Sequence, residues 1–136
     1  MVDVGVVLDS SFLIDLLREE PAAIGKLDAL ERGGDRLLLA TPALYELLAG
    51  VRHHRSRTDA DRFEAFLTRF PVVDFDRRGA ATAAQIRSEL LRMGKVKGDV
   101  DVMIAGTVLS NNYTLVSRDK DFEEIAAAFG LQIQGY

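Results

Sequence analysis

The sequence predicts an α/β fold with a parallel sheet, and three observations lead there. Five short β-like runs occur, at 4–8, 37–40, 72–75, 114–117 and 131–134. Helical patterns separate them, and strands alternating with helices are the mark of βαβ units. Four acids, Asp9, Glu46, Asp101 and Asp119, each fall where a strand stops or a helix starts. In a parallel α/β sheet such positions share the carboxyl edge, where ligands bind.

The elements follow in chain order. Val4-Gly5-Val6-Val7-Leu8 reads as the first strand, and Ser10 and Ser11 can cap a helix with Phe12, Leu13, Leu16 and Leu17 on one face. Asp15 lies on that helix and is read as outside the acidic pocket. Pro21 opens a second helix with Ile24, Leu27 and Leu30 as its apolar face, and Gly33-Gly34 closes it. After Leu37-Leu38-Leu39-Ala40, Thr41 caps and Pro42 starts a helix carrying Leu44, Leu47, Leu48 and Val51. Residues 59–70 form another, with Phe63, Phe66, Leu67 and Phe70 inward, so 41–70 reads as a helical hairpin inserted between two strands. Asp76 caps a long helix through Ala80, Ala83, Ile86, Leu90 and Leu91 that ends near Gly94. In the helix headed by Asp101, the small pair Ala105-Gly106 is suited to close packing on the sheet.

At 136 residues the chain fits one domain with a core of its own. No apolar run approaches 18 residues, and no basic stretch leads into an apolar segment, so neither a membrane span nor a secretory signal is expected. Cysteine is absent, which removes disulfides, thiolate zinc sites and cysteine nucleophiles together. A cytoplasmic location is the default expectation. The net charge of −4 argues against a general nucleic-acid coat, although not against an enzyme with acids gathered in its pocket. Positive charge collects at Arg52-His53-His54-Arg55-Ser56-Arg57, and at Arg87, Arg92, Lys95 and Lys97. These are either solvated helix faces or, for Arg52, Arg55 and Arg57, contacts to an RNA backbone.

Taken singly, each acid has an ordinary structural explanation: a cap, a first-turn charge or a turn former. Glu46 is harder to dismiss, because it lies in the mostly apolar stretch Leu44-Tyr45-Glu46-Leu47-Leu48. Jointly the case is stronger. Two carboxylates about 5 Å apart repel by roughly 3 kcal/mol at an effective dielectric of 20. A cluster of them is therefore costly without a cation, and oxygen-only ligands suit Mg²⁺ or Mn²⁺. His53 and His54 make a poor alternative, since helix neighbours point about 100° apart and no HExxH spacing occurs. No GxSxG, Walker or GxGxxG motif is present.

Val7-Leu8-Asp9-Ser10-Ser11-Phe12-Leu13-Ile14-Asp15-Leu16-Leu17 resembles the opening of PIN-domain ribonucleases, most closely the VapC-type toxins. The resemblance continues through Thr41-Pro42-Ala43-Leu44-Tyr45-Glu46-Leu47-Leu48-Ala49-Gly50, Asp101-Val102-Met103-Ile104-Ala105-Gly106-Thr107 and Leu115-Val116-Ser117-Arg118-Asp119-Lys120-Asp121-Phe122. It implies a PIN-like fold, a five-stranded parallel sheet flanked by helices, and Mg²⁺- or Mn²⁺-dependent endonucleolytic cleavage of RNA. Asp9, Glu46, Asp101 and Asp119 match the family's four acids, with Asp9 and Asp101 as principal metal ligands. Ser11 and Ser117 match its supporting hydroxyl residues. Many relatives carry Asn near the Asp-Phe pair, so Asp121 competes with Asp119 as fourth acid, and Asp99 is an extra acid beside Asp101.

A cognate antitoxin is implied as partner. Its cationic side chain, best an Arg, would enter the pocket, and its apolar anchors would sit between the early helices and the hairpin. The aromatic surface of 59–70 further suggests a homodimer. Two alternatives stay open. One is a non-catalytic PIN scaffold binding RNA or protein. The other is a different Mg²⁺-dependent phosphate-handling domain, such as a phosphatase or a receiver with Asp74 or Asp76 as phosphoacceptor.

Overall fold

The computed structural model describes residues 4–54 and 57–136. The first half contains β1 (Gly5–Leu8), α1 (Ser10–Leu17), α2 (Pro21–Arg32), β2 (Arg36–Ala40), α3 (Thr41–His54) and α4 (Arg57–Leu67). The second contains β3 (Val72–Val73), α5 (Arg77–Arg92), α6 (Asp99–Ser110), β4 (Thr114–Val116), α7 (Asp121–Phe129) and β5 (Ile133–Gln134). The strands pair in the order β3-β2-β1-β4-β5, every pairing parallel. This is the α/β architecture expected from the alternation of elements. It also disposes of the receiver alternative, whose sheet runs 2-1-3-4-5.

Both faces of the sheet are covered, which is why its inner strands read as unbroken apolar runs rather than alternating ones. Val6, Leu8, Leu37, Leu39 and Val116 turn to one side, against Phe12, Leu13, Leu30, Leu47, Phe63 and Leu67. Val7, Leu38, Ala40 and Leu115 turn to the other, against Ile86, Leu90, Ile104, Val108, Phe122 and Ile125. Burying a side chain of this size contributes roughly 1.5–3 kcal/mol. Val6, Val7 and Leu8, at most 1% exposed, therefore outweigh the repulsion of a carboxylate pair at the end of their own strand.

The outer strands are shorter than the sequence suggests. β3 stops at Val73, because the Phe75 N–H is taken by the Thr41 hydroxyl at 3.0 Å instead of by a ladder partner. Asp76 caps α5 as expected, accepting from the Gly79 N–H at 2.9 Å. Asp9 itself is the N-cap of α1, leaving the two serines expected in that role free to turn elsewhere. The apolar face of α2 is rotated: Ala23 and Leu30 are buried, Leu27 is half-buried, and Ile24 is exposed. The stripe is thus i, i+4, i+7 from Ala23 and not the i, i+3, i+6 series from Ile24. Leu91 on α5 is likewise exposed.

Gly106 packs on α5 and not on the sheet. A Cβ there would lie 2.7 Å from the Gly79 carbonyl oxygen and 2.9 Å from Ala83 Cβ, so α6 can approach α5 this closely only with glycine. The hairpin of α3 and α4 forms as expected, and Phe63, Leu67 and Phe70 enter the core below it. Phe66 is half-buried, stacked on Phe63 at 6.3 Å and edge-on to Phe70 at 5.4 Å. The aromatic surface that motivates a dimer is therefore taken up within the chain. Among the described residues, no helix is long and apolar enough to cross a membrane.

Candidate metal centre

The direction of the sheet reverses between β1 and β4, since β2 and β3 extend to one side of β1 while β4 and β5 extend to the other. Ligands in open α/β sheets bind beyond the carboxyl ends of the strands at such a point. Asp9 stands there. Its N–H continues the ladder to the Val116 carbonyl at 3.0 Å, while its side chain turns into the crevice at 2% exposure.

Every hydrogen-bond partner of the Asp9 carboxylate is neutral. Oδ1 accepts from the Ser10 N–H at 2.8 Å, and Oδ2 accepts from the hydroxyls of Ser11 and Ser117, each at 2.7 Å. Burial pushes the Asp9 pKa above the usual range, and these donors offset only part of the rise. No Lys or Arg pairs with it among the described residues.

The other acids converge on the same crevice. Asp101, three residues into α6, has its pKa raised to about 6, first by burial and then by the charges of Asp9, Asp119, Glu46 and Asp121. One carboxylate oxygen from each of Asp101, Asp119 and Asp121 lies within 4.8 Å of the others. Glu46 joins through Ser10, whose hydroxyl donates to its Oε1 at 2.7 Å. Glu46 lies on the exposed face of α3, so the apolar stretch around it in sequence is not its surroundings in space. The helical period carries Leu47 inward and Glu46 outward.

Two acids compete for the fourth position, and their surroundings differ. The Asp119 N–H donates to the Ser117 hydroxyl at 3.0 Å, and Asp119 raises the pKa of both Asp9 and Asp101. Asp121 is exposed, adds its charge to those raising the Asp101 pKa, and lies 3.3 Å from the Lys97 ammonium. Asp99 is exposed at the start of α6 and ion-paired with Arg87 on α5; it does not reach the cluster. Of the basic segment, Arg52 is ion-paired with Glu64. Arg57 lines a shallow surface with Asp61 and Glu64, and Arg55 lies outside the described residues. The charges of Arg52 and Arg57 thus lie beside acids of α4.

Sequence reasoning missed Ser10 as the link between Asp9 and Glu46, and missed what surrounds Asp15. The Asp15 carboxylate is 3% exposed and accepts from Arg118 Nε at 2.5 Å, Arg118 Nη2 at 3.0 Å and the Tyr136 hydroxyl at 2.5 Å. A signal was available: Asp15 is flanked by Leu13, Ile14, Leu16 and Leu17, a more uniformly apolar setting than that of Glu46.

A buried acid with neutral donors only, at the switch point of a 3-2-1-4-5 parallel sheet, and further carboxylates on α3, α6 and the β4–α7 turn make this a carboxylate-lined α/β site. The PIN domain model matches residues 6–128, and the chain belongs to that family. It is 29% identical to a "tRNA(fMet)-specific endonuclease VapC" of Shigella flexneri, over 88% of this chain and 90% of that one. It is 31% identical to "Ribonuclease VapC19" of Mycobacterium tuberculosis, over 76% and 79% of the two chains. Among solved structures, DNA-bound VapBC from Salmonella typhimurium superposes with a TM-score of 0.81 at 27% identity, over 97% of this chain and 98% of that chain.

Proposed function

We propose that this chain is a divalent-cation-dependent endoribonuclease, the toxin of a toxin–antitoxin pair. The observation that carries the reading is Asp9: a carboxylate almost fully buried, supplied with neutral donors only, and electrostatically coupled to Asp101 and Asp119. Such an arrangement is stable once a cation is shared among the acids, and the oxygen-only donor set fits Mg²⁺ or Mn²⁺. Family membership and the ribonuclease relatives support the reaction class.

Asp9 and Asp101 would be the principal ligands, with Glu46 and Asp119 completing the shell directly or through water. What such a cation supplies is neutralisation of charge on a phosphodiester and on the water that attacks it. The remaining work falls to the chain. Ser11 and Ser117 hold Asp9 Oδ2 in position and favour its ionised form by donating to it. Ser10 ties Glu46 to the same edge. Asp101, raised to about 6 by burial and its acidic neighbours, gives up its proton when it serves as a ligand. Asp119 is the fourth acid in this proposal, and Asp121 a rim residue held by Lys97.

Several solved structures of the fold are of toxin–antitoxin complexes, VapBC from Salmonella typhimurium among them. A groove of about 210 Å³ between α1 and α3 is lined by the apolar Ile14, Leu17, Leu47 and Val51 and by the charged Arg18 and Glu46. An amphipathic antitoxin segment fits there, with a cationic side chain reaching the acids. A cytoplasmic location and a homodimer belong to the same proposal, the dimer formed through surface other than the Phe63, Phe66 and Phe70 rings, which pack on one another within the chain. Light scattering tests the dimer against the 15.0 kDa monomer mass.

The test of function is cleavage of a bulk RNA substrate by metal-free protein with Mg²⁺, with Mn²⁺ and with excess EDTA. Cleavage that needs the cation supports the proposal. Full cleavage in EDTA would overturn it.

A further inference from the structure

Ser117, Arg118 and Asp119 are consecutive, yet their side chains serve two different places. Ser117 donates to Asp9, and Asp119 lies against Asp101. Arg118 between them reaches the Asp15 carboxylate on α1 with two donors, Nε at 2.5 Å and Nη2 at 3.0 Å. The Asp15 Oδ2 that accepts from Arg118 Nε also accepts from the Tyr136 hydroxyl at 2.5 Å, and the Tyr136 ring packs edge-on against the buried Phe12 at 4.9 Å. Two segments that carry the acidic centre are thereby joined. α1 brings Ser10 and Ser11, and the turn after β4 brings Ser117 and Asp119.

We infer that Asp15, Arg118 and Tyr136 are positioning residues of the metal centre, a side-chain staple that sets the spacing of Ser117 and Asp119 from Asp9. The inference rests on the proposed nuclease reading. Its physical basis is the planar fork of arginine, which meets a carboxylate through two parallel bonds and so fixes orientation as well as distance. The Ser117 N–H is held by the Gln134 carbonyl at 3.1 Å, so the strand end is already anchored. The turn beyond it, with Arg118 and Asp119, depends on what Arg118 grips. Nothing else ties the Asp119 backbone to α1 among the described contacts except the Ser117 hydroxyl, which must also serve Asp9.

Arg118→Lys and Tyr136→Phe test this. The first keeps a positive charge and loses the fork; the second removes one hydroxyl and keeps the ring. For wild type and each variant, purified free of metal, Mn²⁺ affinity is measured by electron paramagnetic resonance. RNA cleavage is split into kcat and KM, and Tm is recorded. Both variants are expected to bind Mn²⁺ more weakly by about tenfold or more, on the scale of partners that orient metal ligands. kcat should fall with KM little changed. Mn²⁺ affinity and kcat equal to wild type in both variants, whatever happens to Tm, would reduce the staple to a purely stabilising contact. Should Arg118→Lys not fold, Tyr136→Phe alone decides between these results. Wild-type protein that takes up no Mn²⁺ would instead overturn the nuclease reading itself, and the inference with it.

Discussion

Asp9 and Asp15 belong to the same short helix, one as its cap and one within it, and both are almost inaccessible, at 2% and 3% exposure. The chain treats them in opposite ways. Asp15 has a cation of its own: two donors of Arg118 hold its pKa below the ordinary carboxylate range despite the burial that opposes them. Asp9 has hydroxyls and a backbone N–H, and burial wins, raising its pKa. A carboxylate buried with its cation completes a structure. One buried without a cation, beside other acids, is the mark of a place where the cation comes from outside.

The largest effect that separates the two is on activity. Asp9→Asn or Asp101→Asn is expected to lower RNA cleavage by more than the roughly hundredfold upper range for residues that merely orient ligands. The fold, followed by circular dichroism, should persist, and the metal-free Tm should hold or rise, because one repelling charge is gone. If both variants unfolded, the acids would be holding the structure together instead.

Asp15→Asn should have the opposite signature on stability. Removing this charge leaves Arg118 without its ionic partner, and the metal-free Tm should fall by several degrees in a thermal melt. A Tm equal to wild type would erase the distinction between the two acids.

Acidification offers a third separation. Asp101 has a folded-state pKa of about 6 against an unfolded value of 3.8, so between these limits the folded protein binds more protons. Its unfavourable contribution is present above pH 6 and is relieved as pH falls towards 4. Metal-free protein should therefore gain stability from pH 7 to pH 5. Allowing for solvent screening, a gain of about 1 kcal/mol would raise Tm by about 3–6 °C for a chain of this size. Asp15 works the other way: its lowered pKa gives stability that is present above about 4 and lost in stronger acid. Saturating Mn²⁺ should abolish the gain on acidification, and a Tm that fell steadily from pH 7 would contradict the assignment.

The smallest effect is expected at the hydroxyls. Ser117→Ala removes one of two donors to Asp9 Oδ2 and should weaken Mn²⁺ binding by less than either acid substitution, as read by calorimetry.

Much of this was legible in the sequence, and the reasons differ by element. The inner strands are continuous apolar runs bounded by polar residues, so β1 and β2 were readable almost to the residue. β3 and β5 were overdrawn because an edge strand has one partner, and its length is set by contacts such as Thr41 to Phe75 that composition does not show. The four acids could be picked out because strand ends are fixed by local pattern. Their convergence depends on the strand order, which local pattern does not contain. The apolar flanks of Asp15 hint at its burial, but its partner Arg118 lies 103 positions away, which local pattern does not name. Asp99 sat close to Asp101 in sequence, yet two helical positions turned it away to Arg87.

Calorimetric titration of metal-free protein with Mn²⁺ at pH 6 addresses the central claim most directly, in wild type, Asp9→Asn and Asp15→Asn side by side. The expected result is saturable binding in wild type with release of protons, because Asp101 is partly protonated at that pH and must ionise to serve as a ligand. Binding should be lost in Asp9→Asn and retained, though weakened, in Asp15→Asn. Wild type that binds no cation, or Asp9→Asn that binds as wild type does, would contradict the account.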